Sequence, residues 1–294
     1  MSLRVRLVLT AALLALPATQ APRGPAEAPG SGTRLPATGE MMDAELPEPL
    51  SLGFISRRLP AENDADVRVN APAAVGDPAA CHIQSEATVA VDRPYVYVGF
   101  NDTRQCTFTL GLPGVRRSMT GFARSTDGGQ TFEDLGPLVP NGPIHHLVGD
   151  PVIAVDTEGE GAGTVYVSSL AHIDVYDQLL LVEPHSTVAV GVSTDRGRTF
   201  TWHDAVGERS RPGILHDKEW LAVDNSGGRH DGNVYLAWSE WPADFSQVRL
   251  LFTRSSDRGQ SWSTPLEIAV GFPMAPQLAV GPDGEVHLAW REPQ

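Results

Sequence analysis

One eight-residue pattern occurs three times in this chain and limits its possible folds more than any other feature. The pattern is Ser-x-Asp-x-Gly-x-Ser/Thr-aromatic, and its copies begin at Ser125, Ser193 and Ser255. An Asp two residues after a Ser can accept hydrogen bonds from backbone N–H groups just ahead of it, and the Gly supplies the positive φ of a tight turn. Each copy therefore predicts the tip of a β-hairpin, and three copies at near-regular spacing predict a repeat architecture.

A second repeat alternates with the first. Apolar runs end in Ala-Val-Asp at 90–92, 154–156 and 222–224, and in Ala-Val-Gly at 279–281, and each is followed by a turn and another β-like run. One unit thus holds two hairpins, which is the content of a propeller blade. The expected fold is all-β, a β-propeller of four-stranded antiparallel blades, with about three and a half blades present out of six or seven. A β-sandwich would not explain the alternation of two hairpin types.

The triple pattern resembles the Asp-box (BNR) repeat of the sialidase superfamily, over about residues 82–294. In that family the box lies on the outer turn between the third and fourth strands of a blade, away from the active face. The resemblance therefore implies that Asp127, Asp195 and Asp257 are structural. It is more specific for fold than for activity, since non-catalytic secreted propellers and sorting-receptor ectodomains carry the same box.

The ends of the chain predict export and an incomplete ring. Residues 1–21 have two arginines, a short apolar run and then small residues, which is typical of a secretory signal peptide. Residues 22–80 are rich in Pro, Ala and Gly and predict a disordered spacer, with a short strand at 67–69. The propeller domain is expected over 81–294, truncated within its last blade. In the alternative, N-terminal residues complete that blade in a four-bladed ring.

The two cysteines and the net charge limit the compartment and the classes of binding partner that the sequence allows. Cys81 and Cys106 lie on either side of one predicted hairpin and are expected to form a disulfide in a secreted or periplasmic protein; two free thiols are the alternative. The sequence contains neither a Cys-x-x-Cys motif nor paired histidines at metal-ligand spacing, so it predicts no metal site. No motif in it implies a cofactor. The net charge of −14 argues against nucleic acid and anionic lipid as partners and weakens the case for an anionic sugar. No later stretch predicts a transmembrane segment.

Propeller geometry places the reactive side chains on the face opposite the Asp boxes. That face collects the loops between second and third strands and the connections between blades. A charged residue lies five positions before the repeat Val in three blades, at Glu86, Asp150 and Lys218, and is expected at the rim of the central channel. The alternative is an ordinary solvated loop face. Further ligand-face candidates are His172, Asp217, Glu219 and Trp241.

The resemblance also implies what a sialidase would need: an arginine trio, a general-acid Asp, and a Tyr activated by a Glu. Arg58-Leu59-Pro60 is the nearest match to the family's Arg-Ile-Pro signature, and Asp102, followed by Arg104, falls near the position of the acid. Tyr176 and Glu183 lie in the right class of loop, but nothing in the sequence links them. The sequence therefore favours a glycan- or protein-binding propeller, with an exo-α-sialidase and a structural assembly module as alternatives.

Overall fold

The computed structural model of the chain describes residues 3–8, 67–70, 83–105, 115–177 and 180–292. These residues form strands and three single turns of 3-10 helix, and they contain no α-helix. The strands are β1 Leu3–Val8, β2 Gln84–Asp92, β3 Tyr95–Asp102, β4 Arg117–Ser118, β5 Thr120–Ser125, β6 Glu133–Pro137, β7 His146–Val155, β8 Val165–Asp177, β9 Leu180–Ser193, β10 Thr201–Asp204, β11 Ile214–Val223, β12 Val234–Pro242, β13 Val248–Ser255, β14 Leu266–Gly271, β15 Met274–Val280 and β16 Val286–Arg291. The 3-10 turns are Thr103–Gln105, Gly159–Gly161 and Gly207–Arg209.

The strands form four sheets built to one plan. Blade 1 is β2-β3-β5-β6, blade 2 is β7-β8-β9-β10, blade 3 is β11-β12-β13-β14, and blade 4 is β15-β16 with β1 beside β16. Neighbouring strands within a blade are antiparallel, and β4 pairs in parallel with β7. The first strands pack side by side, β2 against β7, β7 against β11 and β11 against β15. The sheets therefore surround one axis with their first strands innermost, which confirms the all-β propeller of antiparallel blades.

Strand β1 lies within the predicted signal peptide. It pairs antiparallel with β16 from Leu3 opposite Arg291 to Val8 opposite Val286. This pairing puts N-terminal residues in the third-strand position of blade 4, as in the four-bladed alternative. The leader over 1–21 stays a prediction. In the part of the chain that the structure describes, no helix is long and apolar enough to cross a bilayer.

Blades pack through apolar side chains of their inner strands. Ile153 and Val155 of blade 2 share a core cluster with Tyr97 and Phe122 of blade 1. Blades 3 and 4 repeat the arrangement, with Leu221 and Val223 against Tyr166, and Leu278 and Val280 against Tyr235. The equivalent pair in blade 1, Val89 and Val91, is 62% and 50% exposed, so the described residues leave that face of blade 1 uncovered.

The three repeated turns join the third and fourth strands of blades 1, 2 and 3, and their aspartates bind their own backbone. Asp127 Oδ1 accepts hydrogen bonds from the N–H groups of Gln130 and Thr131, both at 2.9 Å, and Oδ2 accepts one from Thr131 Oγ1 at 2.6 Å. Asp195 is bound in the same way by Arg198 and Thr199, and Asp257 by Ser261. The first Ser of each copy donates to the Asp at 2.7 Å. Each turn is thus closed within a few residues of sequence.

The residue after the turn Asp contacts the preceding blade. Arg196 Nη1 lies 2.9 Å from Asp92 Oδ2 in blade 1, and its guanidinium is 4.4 Å from the centre of the Tyr95 ring. Arg258 occupies the same position in blade 3, with Nη2 3.5 Å from Glu160 Oε2 of blade 2. The turns therefore also join neighbouring blades.

We expect Asp195→Asn to lower the free energy of unfolding by about 1 to 2 kcal/mol, because an amide loses the charge-assisted hydrogen bonds of the turn. Burial opposes ionisation of Asp195, but hydrogen bonds from Thr199 and Ser193 outweigh it and lower its pKa to about 2. Since an unfolded Asp titrates near pH 4, this stabilisation is complete above about pH 4 and is lost as the pH falls towards about 2. Urea unfolding of both proteins at pH 7 and pH 3 measures the effect. A difference of equal size at both pH values would contradict the explanation.

One expectation is wrong, and others lie outside the described residues. Residues 67–69 do not join a sheet; the Asn70 side chain instead donates a hydrogen bond to the Gln84 side chain, so this segment meets blade 1 through side chains and not through a backbone ladder. Arg58, Cys81 and Cys106 are outside the described residues, as is most of the spacer. The disulfide and the role of Arg58 stay predictions.

Candidate functional site

The four inner strands share a β-bulge near their first residues, on the face opposite the repeated turns. The pairing of each inner strand with its neighbour shifts between Ser85 and Thr88, Gly149 and Val152, Asp217 and Trp220, and Met274 and Gln277. One residue in each bulge has a left-handed backbone: Glu86 with φ 51°, Asp150 with φ 54°, Lys218 with φ 51° and Ala275 with φ 49°. A bulge changes the direction in which a side chain points. The repeated bulge therefore directs the side chains at these four positions towards the axis.

Three of these residues meet and form what we call the channel-mouth triad. Lys218 Nζ lies 3.1 and 3.2 Å from the two Glu86 carboxyl oxygens and 2.7 Å from Asp150 Oδ2. Asn101 holds Asp150 from the other side, since its Nδ2 donates to Asp150 Oδ1 at 3.1 Å and its Oδ1 accepts from the Asp150 N–H at 2.6 Å. The structure thus brings together Glu86, Asp150 and Lys218 from three blades. Asn101 was not among the candidates, and its only signal was its place beside Asp102.

The electrostatics of the triad separate its two carboxyl groups. Hydrogen bonding to Asp150, followed by burial, raises the pKa of Glu86. Burial opposes ionisation of Asp150, but hydrogen bonds with Glu86, Lys218 and Asn101 outweigh it and lower its pKa. Burial likewise opposes the charge on Lys218, yet Asp150 and Glu86 raise its pKa. Asp150 is therefore the ionised partner of Lys218, and Glu86 is the group that takes up a proton more readily.

The triad stands at the mouth of a cavity of about 550 Å³ on the propeller axis. All four inner strands line it, through residues 86–89, 150–153, 218–221 and 275–277. Val152, Ile153 and Leu221 give it an apolar wall. A cavity with apolar walls and a few convergent polar groups is the usual form of a small-molecule site. Among the described residues, no group of three or more His, Cys, Asp or Glu side chains has the geometry to hold a metal ion.

The other ligand-face candidates are placed differently. Glu219 lines the cavity, whereas Asp217, His172 and Trp241 are not among its lining residues. Burial raises the pKa of Asp217, next to the triad in sequence. His172 pairs across the sheet with His146, and burial lowers the pKa of its ring. Trp241 packs edge-on against Phe245.

Two buried carboxylates at the ends of second strands hold the nearby arginines. Asp102 is fully buried, and Arg104 bonds its carboxylate at 2.7 Å through Nε and also reaches Asp134. Glu240 is likewise fully buried and is bonded by Arg209 at 2.9 Å and Arg249 at 3.3 Å. Arg209 and Arg249 line a groove of about 820 Å³ between blades 2 and 3. These arginines neutralise buried carboxylates, which accounts for their position without a ligand.

Tyr176 has a carboxylate partner that the sequence did not indicate. Its hydroxyl donates to Asp174 Oδ2 at 2.8 Å, and His146 Nε2 lies 3.1 Å from the same oxygen. Asp174 is two residues before Tyr176, so both side chains lie on one face of β8.

No family model matches this sequence, and no curated protein matches it. Solved structures resemble it at low identity. An α-L-arabinofuranosidase from Fusarium graminearum is 14% identical, with a TM-score of 0.47, over 76% of this chain and 60% of its own. A protein described as a Hadza microbial sialidase is 18% identical, with a TM-score of 0.48, over 71% and 42%. An α-L-arabinanase from Penicillium chrysogenum is 16% identical, with a TM-score of 0.47, over 70% and 57%.

This chain thus spans 60% or less of the length of those three structures. Its propeller architecture rests on its own four sheets and their shared axis.

Proposed function

We propose that this protein is a secreted binding propeller that holds a glycan or the glycan of a glycoprotein in the cavity at its channel mouth. One observation supports the proposal above others: the same bulge recurs in all four inner strands, and three of the four turn a charged side chain to one cavity. Left-handed backbone at residues other than Gly is unfavourable and concentrates at ligand sites. Carboxylates that accept hydrogen bonds from hydroxyl groups, above an apolar wall, suit the polar edge and C–H face of a sugar.

A glycoside hydrolase is the second candidate, and the Glu86–Asp150 pair is the observation that favours it. Glycosidases use two carboxyl groups, one protonated and one ionised, and the environment here moves the two pKa values apart. However, Lys218 Nζ lies within 3.2 Å of both groups. Each carboxyl group keeps lone pairs that can accept a hydrogen bond from a sugar hydroxyl group, but a lysine bound to both opposes the protonation that a general acid needs, so we favour binding without cleavage.

A sialidase has less support than a glycoside hydrolase with an uncharged sugar as its substrate. A sialic acid carboxylate needs arginines that are free to bind it, whereas Arg104, Arg209 and Arg249 are each held by a buried carboxylate. Asp102, the candidate acid, is itself fully buried in one of these pairs.

A glycan array followed by calorimetry on Lys218→Met tests the proposal. Removing the cation that holds both carboxylates is expected to weaken binding of the best array ligand about tenfold, or roughly 1.4 kcal/mol. The control is Glu160→Gln, a substitution in an exposed side chain on the opposite face, which should bind like the wild type. Release of reducing sugar is measured in the same samples.

The outcomes separate the candidates. Binding without sugar release supports the binding propeller. Release that disappears in Asp150→Asn supports the hydrolase. Failure of the wild type to bind any glycan or glycoprotein, or equal binding by Lys218→Met, would contradict the proposal.

A further inference from the structure

Glu219 is the one carboxyl group among four equivalent positions, one on each inner strand, that line the cavity. It follows Lys218 in the bulge of β11, where the other three inner strands have Ala87, Pro151 and Pro276. All four positions line the cavity. Glu219 is 3% exposed, and neither of its carboxyl oxygens has a hydrogen-bond partner in any other residue that the structure describes.

Folding does not require a carboxyl group at this position. Three blades form the same bulge with Ala or Pro there, so the backbone conformation is available to small apolar residues. A buried carboxyl group without a partner destabilises a folded chain. Both oxygens are enclosed by protein atoms, so the Glu219 side chain must turn towards the cavity before a hydrogen-bonding group from outside the chain can supply the missing partner.

We infer that Glu219 selects the ligand of the channel-mouth cavity: its carboxyl group hydrogen-bonds a hydroxyl group of an uncharged sugar, and sugars that carry a carboxylate are rejected. The inference rests on the proposed function, because it assigns the ligand class of the same cavity.

The charges around Glu219 account for the rejection of anionic sugars. Strand β2 contributes Glu86, β7 contributes Asp150, and β11 contributes Asp217 and Lys218, while the β15 residues that line the cavity are uncharged. Among the described residues that line the cavity, Lys218 is the one cation, and two carboxylates already hold it. A carboxylated sugar would lose its hydration among carboxyl groups without gaining a free cation, which is unfavourable.

The protonation state of Glu219 agrees with a hydrogen-bonding role. Burial raises the pKa of Glu219 well above its usual range, and the charges on Asp150 and Asp217 raise it further. A protonated carboxyl group can donate as well as accept, so it suits a sugar hydroxyl group, which does both. Ionisation at higher pH removes the donor and adds a negative charge, so binding is expected to weaken as the pH rises through this pKa.

Calorimetry with matched sugars tests the inference. The probes are lactose with 3′-sialyllactose, and a galactose pentasaccharide with a galacturonic acid pentasaccharide, each at pH 5, 7 and 9. We expect the uncharged member of a pair to bind at least about tenfold more tightly than its carboxylated partner. Glu219→Leu should weaken that binding about tenfold through loss of the hydrogen bonds. In Glu219→Gln the amide keeps a donor and cannot ionise, so the weakening at high pH should disappear.

Glu160→Leu is the matched control, because it makes the same change in an exposed side chain on the opposite face. Thermal unfolding of each variant shows that it is folded. Equal affinities of wild type and Glu219→Leu, persistence of the pH dependence in Glu219→Gln, or equal affinity for both members of a pair would overturn the inference and leave the proposed function standing. If none of these four saccharides binds the wild type, the inference fails, whereas the proposed function fails only if the glycan array also shows no ligand.

Discussion

Replacing Trp238 with alanine is expected to lower the free energy of unfolding by about 4 kcal/mol. Trp238 is completely buried in the core cluster that joins blades 2 and 3. Its indole N–H donates to Nδ1 of the buried His216 at 2.9 Å. Truncation therefore removes the contacts of a large side chain, leaves a cavity between two blades and leaves the His216 ring without its donor. Urea unfolding followed by far-UV circular dichroism measures the loss.

The control for this substitution is Trp241→Ala, three residues further along β12. Trp241 is only partly buried and packs against the exposed Phe245 near the ligand face. Its truncation creates less of a cavity, so we expect a loss below about 2 kcal/mol. Equal losses for the two tryptophans would show that the core between blades 2 and 3 does not carry the stability assigned to it.

Alanine at Gly197 is expected to lower the free energy of unfolding by about 3 kcal/mol, whereas alanine at Gly129 should lower it by about 1 kcal/mol. Both residues occupy the Gly position of the repeated turn and have a left-handed backbone, with φ of 77° and 90°. A Cβ atom at Gly197 would lie 2.9 Å from the Phe122 ring of the preceding blade. At Gly129 the nearest atom would be Val96 Cγ2 at 3.8 Å.

The comparison separates two effects of one substitution. Gly129→Ala reports the backbone strain alone, and Gly197→Ala adds the clash with an aromatic ring that is itself completely buried. Chemical denaturation of both variants under one set of conditions gives the difference. Equal losses would mean that the turn of blade 2 does not pack against blade 1 as described.

The repeated turns and the order of the strands could be predicted from sequence because their determinants are local. Asp127, Asp195 and Asp257 each bind groups within four residues, so the pattern of residue types contains the whole interaction. The alternation of turns with Ala-Val strands likewise specifies four-stranded units without reference to distant residues. The sequence also placed Glu86, Asp150 and Lys218 at equivalent positions by counting back from the repeat Val.

What those three residues do to one another was decided by tertiary structure. Lys218 and Glu86 are 132 residues apart in the sequence. Their contact depends on the angle between blades and on a bulge with left-handed backbone, which no residue type in the sequence predicts. The burial of Glu219, whose carboxyl oxygens meet no partner in any other described residue, likewise arises from the packing of the blades. Hydrogen bonds within one turn depend only on the residues of that turn, so the local sequence is enough to predict them. Burial and charge pairing at the axis arise only when separate sheets pack together, because each sheet supplies only one side of the environment.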